Sequence, residues 1–350
     1  LAALAAAPAA AQAPRPGEGS TRARIEPRAA ARTAEFPTFE FRSSFWVNLH
    51  HFLYGQARLG RAAETDAGEP EELPDQGGSP AVAEPARFTP DGESAAAWYL
   101  ALEQYRAGPA RRDLRLAFEM VAIKNRLAEL DGCSDLSGRE RRECTSGLRP
   151  ELVEALETAA PVYRAGRWPE DDRRNRDWIA AVEPLLERFG RALGARLARV
   201  YQEGWPAEPI RVDVVVYATR GGSYSTPEPL HVVIASTDER NQQAAALEVL
   251  FHEASHALAG GIADGIGRRC RALNKPIPRD LWHALIYYTT GDAVRRAMAE
   301  SETYLPYGHR YGLYARGWRR YLSLLEDYWQ PYLDGRTPLD RALSRLVAAL

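Results

Sequence analysis

The stretch from residue 211 to residue 261 constrains the fold of this chain more tightly than any other. Two apolar runs open it, residues 211–218 (RVDVVVYA) and residues 231–236 (HVVIAS). Both are short, β-branched and bounded by Gly, Pro or Ser, which predicts strands. Ser236 is followed three residues later by Glu239, a capping-box pattern for a helix start. Ala245, Leu247, Leu250, Phe251, Ala254 and Leu258 then recur at helical spacing, and Gly260 and Gly261 predict the helix exit. The expected order is strand, strand, helix and Gly-Gly exit.

That helix carries residues 252–256, HEASH, an instance of H-E-x-x-H. Imidazoles four residues apart share one helix face, about one turn apart. His252 and His256 can therefore bind a single Zn²⁺. Glu253 sits beside that point, where a carboxylate can take a proton from water. A catalytic zinc commonly has three protein ligands. Residues 280–292 (DLWHALIYYTTGD) form a second helix-like segment on which His283 and Tyr287 share a face. His283 is the third-ligand candidate by position and chemistry, with Asp292, Glu300 and Glu302 as carboxylate alternatives. The sequence shows no G-x-S-x-G, Walker A or dinucleotide motif, and Cys133, Cys144 and Cys270 have no patterned His nearby.

Over residues 210–315 this arrangement resembles the zincin metallopeptidases, with HEASH as the specific motif. The resemblance implies an edge strand that holds a peptide extended, followed by a helix bearing His252 and His256. It implies Zn²⁺ as cofactor, Glu253 as general base and a peptide or protein as substrate. The metzincin branch places a Gly three residues after the second His and a third His three further on. Ala259 and Ile262 occupy those positions and exclude it. The pattern is similar to the gluzincin branch, whose third ligand comes from a later helix and is usually a Glu; residues 280–292 contain none. The Tyr- and Gly-rich residues 304–318 resemble a loop that faces the zinc in helical gluzincins. That likeness implies Tyr307, His309 or Tyr311 as the hydrogen-bond donor to the developing oxyanion. By residue type alone the stretch also fits a packed aromatic turn. Two alternatives to a peptidase stand beside it. One is a non-catalytic zincin-fold envelope protein that binds peptides or a protein partner. The other is a zinc hydrolase of a non-peptide amide.

The fold class expected is α+β and mostly α-helical. A zincin-like core would place a small β-sheet next to the H-E-x-x-H helix, with a helical N-terminal part before it. Residues 1–13 end in Ala11-Gln12-Ala13, an A-x-A cleavage pattern after an apolar run, and are expected to be the remnant of a signal peptide. Residues 14–35 are Pro-, Ala- and Arg-rich and predict a flexible leader. Residues 36–205 predict a helical region with an exposed loop at 60–90, and residues 206–350 the catalytic region. His50 and His51 lie in a dense apolar segment and are expected to pack there. A Cys133–Cys144 disulfide is expected, with Cys270 left over, which fits a periplasmic or secreted protein. The formal net charge of −2 argues against nucleic acid or an anionic membrane as partner. No membrane span is expected, and the sequence gives no oligomeric state.

Overall fold

The computed structural model describes residues 33–59, 87–92, 94–133, 145–299 and 303–350. Six strands occur among them: Thr33–Ala34 (β1), Phe39–Arg42 (β2), Trp205–Pro206 (β3), Ile210–Val215 (β4), Ser223–Pro227 (β5) and Leu230–Ala235 (β6). The longer helices before the central strands are Phe45–Leu59 (α1), Ser94–Ala107 (α2), Phe118–Ala128 (α3), Pro150–Gly166 (α4), Trp168–Leu185 (α5) and Arg191–Tyr201 (α6). After the strands come Ala244–Ser255 (α7), Gly260–Ala272 (α8), Leu281–Met298 (α9), Tyr307–Arg310 (α10) and Leu339–Ala349 (α11). The fold is mostly helical with a small sheet, an α+β arrangement.

Strand pleat decides how the layers assemble. The sheet order is β2-β4-β6-β5, with β2, β4 and β6 parallel and β5 antiparallel on the edge. Side chains along a strand alternate between faces. Val212, Val214, Val232 and Ile234 point into a core shared with α5 to α9 and α11. Val215, Val233, Ala235 and Tyr224 point the other way, into a core shared with α1 to α4. Burial on both faces explains why β4 and β6 read as nearly continuous apolar runs. Phe251 fixes α7 to the sheet: fully buried, it meets Phe39 and Trp205 edge-on at ring-centroid distances of 5.5 and 6.2 Å.

Several expectations change at this level. The helix with the HEASH motif starts at Ala244, not after Ser236. Residues Glu239–Asn241 form a separate 3₁₀ turn, capped by the Asp238 carboxylate accepting from the Arg240 backbone N–H. Ser236 instead donates its hydroxyl to Asn175, at 2.6 Å. At the other end α7 stops at Ser255, and Gly260 and Gly261 open α8 rather than ending α7. Strand β5 is an element absent from the expected order. Residues 33–35, assigned to the leader, include β1, which pairs with β3. Because β2 pairs with β4 and Thr33–Leu350 forms one unit, residue 205/206 is not a structural boundary. Phe88, assigned to the exposed loop, packs on Phe52 and Trp98. Residues 1–32, with the A-x-A pattern, and residues 60–86 lie outside the described residues, as does Cys144; Cys133 is disulfide-bonded and Cys270 is free and buried. No helix among the described residues is long and apolar enough to cross a membrane.

Polar groups cross the α1–α4 side of the sheet in one connected patch. Asp213, fully buried, accepts from Ser44, His231 and Arg211, each at 2.7 Å. His51 donates from Nδ1 to the Val47 carbonyl and accepts the Tyr224 hydroxyl at Nε2, 2.9 Å away. Lys124 of α3, also fully buried, donates to Thr226 Oγ1 at 2.5 Å. Burial brings its ammonium down to about 7, against the pull of Asp213. A depressed lysine contributes stability that is present above its unfolded value of 10.5 and lost as pH falls through about 7. Lys124→Met keeps the volume and removes the amine. Its stability relative to the parent should rise as pH falls from about 10 to about 7 and then level off, as urea midpoints across that range will show.

Candidate metal centre

Three imidazoles converge where α7 faces α9. His252, at the last turn of α7, and His256, one residue past its end but still in the helical conformation, have ring centroids 5.0 Å apart. His283, in the first turn of α9, approaches both, at 5.1 and 5.3 Å. His252 Nε2 and His283 Nε2 are 3.2 Å apart. One ligand atom from each of the three residues lies within 4.8 Å of the others. Neighbouring nitrogens on a tetrahedral zinc are about 3.3 Å apart for Zn–N bonds of ~2.0–2.1 Å. The closest pair therefore matches two ligands of one ion. Burial lowers the basicity of all three rings: His252 is held well below the ordinary range, and His283 is held near 3 with help from His256 and Arg115. Neutral imidazoles are the ligating form. His256 Nε2 is buried without a hydrogen-bond partner, the state a ligand atom needs. The residues fit the metal.

Strand β5 holds the acid beside them. Its pleat turns Tyr224 and Thr226 towards the α1–α4 core and Ser223 and Ser225 towards α7. Ser223 donates to Glu253 Oε1 at 2.7 Å, and Ser225 donates to Glu253 Oε2 at 3.0 Å. Gly222 makes this placement possible. It adopts φ +80°, and a Cβ there would come within 2.2 Å of the Asp238 carboxylate.

Aromatic rings wall the cluster. Tyr287, one turn beyond His283 on α9, stacks on His252 at 3.7 Å. Trp282 stacks on His283 and meets His256 edge-on. Trp318 packs against His283 and Tyr287. Tyr307 stacks on Tyr287 at 5.6 Å, and Tyr311 packs on Tyr307 at 4.6 Å. The charge of Arg240 acts on both Tyr287 and Tyr307, while its guanidinium is held by Asp238. His309 points elsewhere: its ring contacts are Tyr288 and Tyr314, and nothing links it to the three imidazoles. Asp292 is also elsewhere, bound by Arg196, Arg295 and Arg296. Glu300 and Glu302 lie outside the described residues. His50 and His51 are buried on the far face of the sheet, against Tyr105 and Tyr224.

Glu248, one turn before His252, was not singled out by the sequence. Fully buried, it accepts from the Tyr304 hydroxyl at 2.6 Å and from the Tyr307 backbone N–H at 2.9 Å. It thereby clamps the segment that carries Tyr307 onto α7. Gly291 admits it, since a Cβ there would stand 3.0 Å from Glu248 Oε1 and 2.7 Å from Pro306. The signal was present: a single acid inside the apolar run AAALEVLF. Ser223 and Ser225 left no such mark, whereas the spacing had already placed Tyr287 on the face of His283.

Comparison with protein-family models, curated proteins and solved structures finds no match for this chain.

Burial pushes the Glu248 carboxyl up to about 7, against its two hydrogen bonds and the charge of Arg310. A raised carboxyl contributes stability that is full below its unfolded value of 4.5 and lost as pH rises through about 7. Glu248→Gln keeps an acceptor for both donors. It should therefore lose less stability than the parent between about pH 5 and pH 8, a difference readable in thermal midpoints at the two pH values.

Proposed function

We propose that this chain is a zinc-dependent hydrolase of the zincin type that cleaves peptide bonds, with His252, His256 and His283 holding the metal and Glu253 as general base. The observation that carries this reading is the convergence of three imidazoles beside a carboxylate held by Ser223 and Ser225. Imidazole donors suit zinc, and three of them leave a fourth position for water or substrate. When bound, zinc supplies a lowered pKa for water and polarisation of a substrate carbonyl.

The protein's own groups account for the remaining steps. Glu253 accepts the proton of the attacking water and passes it to the departing amine, giving a carboxylate and a free amine. The serine hydroxyls keep the carboxylate from turning away during this transfer. Tyr287 is the phenol in contact with a metal ligand, and Tyr307 lies one ring further out. In this reading one of the two would donate a hydrogen bond to the oxygen on which negative charge develops. Strand β5 ends the sheet, so its outer edge suits an extended peptide added as a further strand. A periplasmic or secreted location goes with this reading and is supported by the disulfide-bonded state of Cys133.

Five variants test the assignment against a peptide library and by metal analysis. Glu253→Gln should stay folded, take up zinc when it is supplied in excess, and lose turnover by about 10²–10⁴-fold. His283→Ala should lose most of its zinc, whereas Asp292→Asn should keep it. Tyr287→Phe should reduce kcat more than His309→Ala, which should be silent. Purified protein that refuses zinc on titration would falsify the assignment, and full hydrolysis by Glu253→Gln would remove Glu253 as the base.

A further inference from the structure

Ser225 stands between two groups that do not reach each other. Its Oγ is 3.0 Å from Glu253 Oε2 and 3.0 Å from His256 Nδ1, whereas Nδ1 and Oε2 are 3.9 Å apart. That last distance is too long for a direct hydrogen bond. Counting protons orders the contacts. A serine hydroxyl has one proton to give and lone pairs to receive, and an ionised carboxylate only accepts. The Ser225 proton therefore goes to Glu253. Ser225 can then only accept from His256, so Nδ1 must carry the ring proton. The neutral ring has a single proton, which leaves Nε2 with its lone pair. Nε2 is the buried atom without a protein partner.

We propose that Ser225 is a positioning residue that fixes His256 in its metal-binding tautomer and couples that ligand to the charge of Glu253. The proposal rests on zinc binding at His252, His256 and His283 for its consequence, but not for its geometry. A ligating imidazole commonly donates its second nitrogen to a carboxylate, a carbonyl or water, which sets the tautomer and raises ligand basicity. Here an edge-strand hydroxyl takes that place and passes the effect to the carboxylate proposed as base. Glu253 would then have a second role: its charge, acting through Ser225, strengthens the grip on zinc. The pleat of β5 that turns Ser225 towards α7 is what brings the strand into the metal site.

Two measurements test this on the full chain. The first is imidazole nitrogen NMR of the metal-free protein with labelled histidine. His256 should be the Nδ1–H tautomer in the parent and in Ser225→Thr, and should shift towards Nε2–H in Ser225→Ala. The second is zinc affinity by competition with a chelator. Ser225→Ala should weaken zinc about 10–100-fold and Ser225→Thr should restore it. Glu253→Gln should weaken zinc in the parent background but add little in the Ser225→Ala background. An unchanged His256 tautomer in folded Ser225→Ala, or an unchanged zinc affinity, overturns the proposal. A parent that shows the expected tautomer yet takes up no zinc overturns the metal reading and the coupling to it, while the tautomer assignment to Ser225 stands.

Discussion

A helix buried along its whole length must find a partner for each polar group it carries, and α7 is such a helix. An unpaired polar group in the interior costs about 1–3 kcal/mol. Glu248 draws in the Tyr304–Tyr307 segment, Glu253 draws in the edge strand, and His252 takes the face of Tyr287 and the edge of His283. Each satisfied group recruits a different element, so the surroundings of the site are set by what the helix needs. On or just past this helix, Glu248 Oε1, His252 Nδ1, Ser255 Oγ and His256 Nε2 are buried without a hydrogen bond. Interiors tolerate few such atoms. A cation taken up by His256 Nε2 would relieve one of them.

What the sequence revealed, and what it hid, follows from the range of each interaction. HEASH is legible because its geometry is local: four residues set the spacing of two rings whatever the rest of the chain does. The strands at 210–215 and 230–235 are legible because burial on both faces writes long β-branched runs. His283 could be nominated by chemistry, but its selection over Asp292 depends on three arginines that come from α6 and from α9 itself. Strand β5 escaped because its residues, SYSTP, contribute polar hydroxyls instead of an apolar stripe. Two of those hydroxyls hold the Glu253 carboxylate. The same hydroxyls that tie the strand to Glu253 removed its hydrophobic signature.

The false helix boundaries have a similar cause. Ser236 and Glu239 have capping-box spacing, yet Asp238 has the shorter path to a free backbone N–H and caps a separate turn. Ser236 is then free to tie β6 to α5 through Asn175. Gly260 and Gly261 fit a helix exit by composition, but the chain turns just before them, so they begin the next helix. Local propensity is a weak prior that tertiary packing overrides.

Strand β2 has a consequence for how the molecule comes to exist. Phe39 pairs with Ile210, so β2 has no neighbour in its sheet until the chain has grown past that point. Parallel pairing between such distant segments is entropically expensive and slow. The helices between the two strands form from local contacts, whereas the sheet closes only when its distant halves meet, so sheet closure is the step of folding that the sequence separation delays.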